Sequence, residues 1–296
     1  MKLHAYAKIN LTLDILGKRP DGYHDLVMVM QSVGLYDIID VKLNENTAIK
    51  VKSSSALLPD DQSNTAYKAA KLFFEYAGIH DKGADIALEK NIPMEAGMAG
   101  GSADAAAVII ALNQLCGTDY SDDILCEIGV KVGADVPFCI VGGTMLAEGK
   151  GEILSRLPAL SDFKQAPAIL LCKPYMGVST GRAYSAVDNC DPSVLVRPDA
   201  EIMRKALSEQ NVNDVARHIG NVFEQVLKLG ECESIKKAMI DGGALGSCMT
   251  GSGTTVFGIF DNAEYAKQTA FTLKNTYKNT FLTSAVNCGC AIVQEN

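Results

Sequence analysis

The chain has 296 residues, of which 48% are hydrophobic and 21% charged, and its formal net charge is −8. That length favours two domains over a single core, and the composition is that of an ordinary globular protein. An acidic balance with no basic run argues against a nucleic-acid partner, and the longest apolar stretch, Ala103 to Leu112, is too short and alanine-rich to span a bilayer.

The first segment alternates. Leu3, Ala5, Ala7, Ile9, Leu11, Leu13 and Ile15 point one way, and His4, Tyr6, Lys8, Asn10, Thr12 and Asp14 the other. This predicts a half-buried strand with Lys8 and Asn10 on its polar face. Pro20-Asp21-Gly22 marks a turn, and strands at about 25–33 and 37–43 complete an antiparallel meander. Asn64 or Thr65 can cap a helix whose residues Ala66, Ala69, Ala70, Phe73 and Ala77 keep helical spacing up to Gly78. A strand near 85–88 leads to a glycine-rich loop, a helix from Ser102 that stops before Gly117, a helix capped by Ser121, and a turn holding Asp135. Residues 155–167, with Pro158 and Pro167, read as a linker. Beyond it the sequence predicts a strand at 168–172, helices around 199–208, 213–229 and 232–240, strands near 244–249 and 255–260, a helix from Ala263, and a last strand at 286–293. Leaving the extra helices aside, this is the β-α-β-β-α-β order of a ferredoxin-like sandwich. The expected fold class is α+β, a two-domain α/β sandwich divided into residues 1–158 and 159–296.

Nine cysteines, an odd number, lie mostly within apolar segments and read as reduced core residues of a cytoplasmic protein. Cys288-Gly-Cys290 is the only close pair, with no second pair at zinc-site spacing.

The most informative stretch is Pro93-Met94-Glu95-Ala96-Gly97-Met98-Ala99-Gly100-Gly101-Ser102-Ala103. Its glycines let an anion approach backbone amides, and the helix that follows has free N–H groups and a partial positive charge at its start, so the loop is a candidate phosphate cradle. It has neither the Gly-Lys-Ser/Thr ending of a Walker A loop nor dinucleotide-fingerprint spacing. Four other places carry suggestive chemistry, and each also has a plain reading. Lys8 is a catalytic candidate or one more solvated strand lysine. Asp135 is a carboxylate base or the cap of a turn. Tyr23-His24 is a recognition pair or a turn aromatic with a satisfied imidazole. Thr250-Gly251-Ser252-Gly253 is a second amide-presenting turn or a simple hairpin connection.

Together these segments resemble the GHMP kinases. Ala7-Lys8-Ile9-Asn10-Leu11 is similar to their first motif, Pro93 to Ala103 to the second, and Thr250 to Phe257 to the third. Within the family, Arg19-Pro-Asp-Gly-Tyr23-His24-Asp-Leu26 and Gly133-Ala-Asp135-Val-Pro137-Phe138 resemble members that act on a cytidine-diphosphate-linked polyol in non-mevalonate isoprenoid precursor synthesis. The resemblance implies an N-terminal domain like ribosomal protein S5 domain 2, a ferredoxin-like C-terminal domain, and ATP-dependent phosphorylation of the polyol hydroxyl. It implies Asp135 as base with Lys8 beside it, the loop from Pro93 to Ala103 around the ATP phosphates, and Lys90 and Asn64 as further nucleotide contacts. Mg²⁺ would bridge phosphate oxygens, with Ser102 a candidate contact. Asn10 would hold the polyol, Tyr23 and Tyr184 would sandwich the cytosine, His24 would bond its polar edge, and Thr180, Gly251 and Gly253 would line the substrate side. The implied partner is a small molecule bearing cytidine diphosphate, with no nucleic acid or membrane, and the chain is expected as a monomer or homodimer. This sequence departs from the family pattern at Met98, Ala99 and Ala103. A Cβ at Ala99 is comfortable only if its φ is negative.

Overall fold

The computed structural model describes residues 1–293. The N-terminal part runs β1 (Lys2–Lys18), β2 (His24–Asn44), β3 (Ile49–Ser53), α1 (Thr65–Ala77), β4 (Gly83–Glu89), α2 (Gly100–Cys116), α3 (Asp122–Gly129), α4 (Val136–Val141), β5 (Thr144–Gly149) and β6 (Ile153–Arg156). The later part runs β7 (Ala168–Cys172), α5 (Thr180–Asp188), α6 (Ala200–Ser208), α7 (Val212–Arg217), β8 (Gly220–Asn221), α8 (Val222–Leu227), α9 (Gly230–Asp241), β9 (Gly246–Met249), β10 (Val256–Phe260), α10 (Ala263–Lys274), β11 (Thr280–Ser284) and β12 (Cys290–Ile292).

The second sheet has the order β11-β7-β10-β9. With α9 and α10 as its crossovers it is the expected ferredoxin-like arrangement, but its fourth strand is β11. The strand predicted at 286–293 shrinks to β12 and leaves this sheet to pair antiparallel with β1 through Leu3, Ala5 and their neighbours. The expected helix over 213–229 is likewise broken. Asn221 caps α8 with its side-chain oxygen and sends its Nδ2 to the carbonyls of Met249 and Gly251, both at 2.8 Å, so the chain must leave helical geometry there.

The strands predicted at 25–33 and 37–43 are one strand, β2. Val33 pairs with Ala7 and Tyr36 with Tyr6, so Gly34 and Leu35 form a bulge and not a turn. Gly34 is suited to it, since a Cβ there would stand 3.0 Å from Thr283 Oγ1.

β1 is buried on both faces from Ala7 to Ile15; its polar residues Lys8, Asn10, Thr12 and Asp14 are all under 7% exposed. The reason is its outer edge. β12 covers residues 3–5, the Gly289 carbonyl takes the Tyr6 N–H, the Met98 carbonyl takes the Lys8 N–H, Thr250 Oγ1 takes the Asn10 N–H, and β8 pairs with Thr12 and Leu13. The polar face that looked solvated is the seam between the two halves of the molecule.

Two helices flank that seam. Asn64 caps α1 by accepting from the Ala66 N–H, and left-handed Gly78 closes it. α2 is alanine-rich and buried on most sides, with Ala103, Ala105, Ala106, Ala107 and Ala111 fully covered. Small side chains let this helix lie close to the sheet and to α1, which aims its N-terminus at the seam.

Candidate active site

A cleft of about 700 Å³ opens at the seam. Every residue from Pro93 to Ser102 lines it, as do Lys8, Lys90, Asp135, Asn64, Thr180, Tyr184, Gly251 and Gly253. The α2 helix starts at Gly100, two residues earlier than its sequence suggested. Its N-cap residue Ala99 makes no side-chain capping bond, and the first bond reaching back is Ala103 N–H to Ala99 O. The N–H groups of Gly100, Gly101 and Ser102 therefore have no partner among the described residues, which is the condition for binding an anion.

The loop holds its shape by leaning on the second half. A Cβ at Gly97 would fall 2.3 Å from the Thr250 carbonyl, and one at Gly251 would fall 2.6 Å from the Gly97 carbonyl. The two glycine turns are in direct backbone contact, so Thr250 to Gly253 is both a β9–β10 hairpin connection and part of the cleft. Ala99 has φ 57 and ψ 29, the left-handed region, so the condition set for it fails and its Cβ is strained. Ala99→Gly is expected to leave the cleft geometry intact and not to lower the thermal midpoint. Relief of about 1 kcal/mol of backbone strain offsets the entropy glycine adds to the unfolded chain. A drop of several degrees in a melting scan would contradict the strain at this site.

Lys8 Nζ lies 3.7 Å from Asp135 Oδ2, with the lysine 5% and the aspartate 33% exposed. Asp135 occupies the N-cap of α4 yet makes no capping bond, so its carboxylate is turned to Lys8 and the cleft. Lys8 is held from behind by Asn10, whose Oδ1 accepts from Lys8 Nζ at 2.8 Å and from the Gly251 N–H at 3.1 Å. Asn10 is fully buried, spends its Nδ2 on Met28 Sδ, and does not line the cleft. The expected polyol contact is thus a brace under the lysine.

Four more expected contacts are placed differently. Ala103 points into the core and does not reach the cleft. Asn64 spends its amide on the α1 cap and on the Pro59 carbonyl at 2.7 Å. The Lys90 ammonium, at the cleft wall, is bound by the carboxylates of Asp37 and Asp104, the latter at 2.6 Å. Asp37 also takes the N–H groups of Asn91 and Ile92. Burial pushes the Asp104 carboxyl up to about 7, Lys90 opposing and the Asp37 charge adding to it, and its Oδ1 has no partner. For Lys90, burial is outweighed by its two carboxylates, and its basicity rises.

Tyr23 is 58% exposed and lies outside the cleft, with Lys150 Nζ 4.7 Å above its ring. Tyr184 lines the cleft, packs edge-on against Phe223, and already carries the His24 ring on it at 4.6 Å. Burial, then the nearby Asp135 charge, push the Tyr184 hydroxyl up to about 12, so it stays protonated. The two tyrosines do not face each other as an aromatic sandwich. Lys150, at the β5–β6 turn, lines the cleft and was missed; nothing in its sequence context, Glu-Gly-Lys-Gly, distinguishes it from a solvated turn lysine. Lys8 and Lys90 also line the cleft, but each is paired with carboxylates, Lys8 with Asp135 and Lys90 with Asp37 and Asp104.

For a metal, no group of three or more His, Cys, Asp or Glu side chains stands ready among the described residues. The Ser102 hydroxyl lines the cleft and makes no side-chain hydrogen bond there. None of the described helices is long and apolar enough to cross a membrane.

The chain matches the family model for the GHMP kinases N terminal domain over residues 64–143 and that for GHMP kinases C terminal over 194–279. It is 42% identical to the 4-diphosphocytidyl-2-C-methyl-D-erythritol kinase of Clostridium acetobutylicum, over 97% of this chain and 100% of that one. A crystal structure of 4-(cytidine 5'-diphospho)-2C-methyl-D-erythritol kinase superposes with a TM-score of 0.79 at 29% identity, covering 96% of this chain and 99% of that one. A homoserine kinase from Cytophaga hutchinsonii also reaches 0.79, at 19% identity over 99% of this chain and 97% of that one, a likeness of fold alone.

Proposed function

The chain belongs to the GHMP kinases, and on that premise we propose that it moves the γ-phosphoryl group of ATP to the 2-hydroxyl of 4-diphosphocytidyl-2-C-methyl-D-erythritol, a step of isoprenoid precursor synthesis. The observation that carries the chemistry is the 3.7 Å approach of Lys8 and Asp135 across from unpaired amides at the start of α2. In this reading residues 1–158 hold ATP, and residues 159–296 close the substrate wall.

The substrate hydroxyl lies at Asp135, which accepts its proton as the oxygen attacks the γ-phosphorus and the bond to the β-phosphate oxygen breaks. Lys8 stabilises negative charge on the transferring group, and no covalent enzyme intermediate is needed. The amides of Gly100, Gly101 and Ser102 take the phosphate oxygens. The residues present fit Mg²⁺ held chiefly by ATP itself, with the Ser102 hydroxyl as the protein's contact. When bound, the ion would neutralise negative charge on the phosphates. The Lys150 ammonium, which has no salt bridge among the described residues, suits the substrate's diphosphate, and Tyr184 with His24 forms the wall for its base. Tyr23 joins them only if the β1–β2 turn moves inward.

A coupled ADP-release assay comparing the cytidyl substrate with homoserine and mevalonate tests the assignment; turnover of either small alcohol in preference to the cytidyl compound would reject it. Tyr184→Ala is expected to raise KM for the cytidyl substrate by roughly 5- to 160-fold, from the 1–3 kcal/mol typical of a base–aromatic stack, with KM for ATP nearly unchanged. An unchanged substrate KM would take the base away from this ring.

A further inference from the structure

One helix fixes the imidazole of His24 twice. Tyr184 and Asp188 are one turn apart on α5 and share a face. The Tyr184 ring stacks on His24 at 4.6 Å with planes 25° apart, and Asp188 Oδ1 lies 2.7 Å from His24 Nε2. Stacking sets the plane of the imidazole, and the carboxylate sets its rotation within that plane. Lys18 Nζ bonds the other oxygen of Asp188 at 3.0 Å. Hydrogen bonds from His24 and Lys18 hold the Asp188 carboxyl below its ordinary value, so it is ionised and can only accept. The proton of this contact therefore resides on Nε2. In the neutral ring Nδ1 is then an acceptor, and no hydrogen bond to Nδ1 is present among the described residues.

We propose that Asp188 is a specificity-determining positioning residue: by fixing His24 as an acceptor at Nδ1, it selects a pyrimidine with an amino group at its edge and rejects one with a carbonyl there. This rests on the reading above that the substrate's base lies against Tyr184 and His24. Cytosine carries an exocyclic amine where uracil carries a carbonyl oxygen. Against a fixed acceptor the first forms a hydrogen bond, and the second places two lone pairs face to face beside an imidazole only 7% exposed.

The test compares kcat/KM for the cytidyl substrate and its uridyl counterpart at pH 8. Wild type is expected to prefer the cytidyl compound by roughly 100-fold or more. In Asp188→Asn the amide can donate as well as accept, so the tautomer is no longer imposed. The ratio should fall by about tenfold or more with KM for ATP unmoved, while Asp188→Glu, which keeps an accepting carboxylate, retains most of the preference. Nitrogen-15 NMR of histidine-labelled wild type, with His24 assigned by the resonance lost in His24→Gln, should show Nδ1 unprotonated and Nε2 protonated. An equal ratio in wild type and Asp188→Asn, or a spectrum with Nε2 unprotonated, overturns the proposal. Failure of wild type to phosphorylate either compound would reject the assigned function instead, and the NMR result would still decide the tautomer.

Discussion

Asp135→Asn is expected to lower kcat by about 10²–10⁴-fold, the usual contribution of a positioned general base. The asparagine fills the same space at the α4 N-terminus, and since Asp135 makes no capping bond there, the helix loses nothing by the change. What disappears is the acceptor for the hydroxyl proton and the anionic partner of Lys8, 3.7 Å away. The amides that grip ATP belong to Gly100, Gly101 and Ser102 and are untouched, so KM for ATP should stay within about threefold. Single-turnover measurement of ADP formation separates the chemical step from product release. Wild-type turnover in this variant would remove Asp135 from proton transfer.

Lys90→Met should be the most damaging change to stability. The ammonium satisfies two carboxylates that are almost wholly buried, Asp37 and Asp104. Removing it takes away the counter-ion of this buried cluster, an event that costs about 3–5 kcal/mol. Urea unfolding measures this directly. Adding Asp104→Asn to Lys90→Met should recover part of the loss, since one of the stranded charges is removed; no recovery would mean that Lys90 acts on something other than this cluster. The same cluster sets a pH dependence. The Asp104 carboxyl sits at about 7 in the folded protein and near the ordinary value of about 4 in the unfolded chain. Between those values the folded state holds a proton that the unfolded state lacks, so stability falls as pH rises from about 4 to about 7 and levels off above. Asp104→Asn should flatten that slope.

The local rules of the sequence carried most of the fold. Capping at Asn64 and the glycine stop at Gly78 depend on neighbours a few residues away, and each has its expected counterpart in the structure, whereas the alternation in β1 gave the strand but not its burial on both faces. The misreadings share a cause, contacts distant in sequence. Gly34 and Leu35 look like a turn until β1 runs past them as one continuous partner. The segment 286–293 looks like the closing strand of the second sheet because nothing nearby says that β1 has an open edge 285 to 289 residues earlier. The site divides the same way. The motif residues of the phosphate loop and the Lys8–Asp135 pair do meet in one cleft, because strand β1 and the two turns fix their positions. Which side chains face the cleft, and which are consumed by neighbours, was not legible: Asn10, Asn64 and Lys90 are each spent on internal partners. Lys150 and Asp188 carry no motif at all.

The return of β12 to β1 bears on how the molecule is made. Gly289 packs so closely on α4 that a Cβ there would fall 1.8 Å from the Cys139 carbonyl, and Val286 N–H bonds the Ser32 carbonyl at 2.9 Å. The backing of the helix that presents Asp135 thus comes from a segment about 150 residues further along the chain. Until that segment is made, a nascent N-terminal half has an unpaired strand edge bearing a lysine meant for burial, a surface prone to join with a second chain. Competence for phosphoryl transfer should therefore wait until β12 has been made and has folded back onto β1.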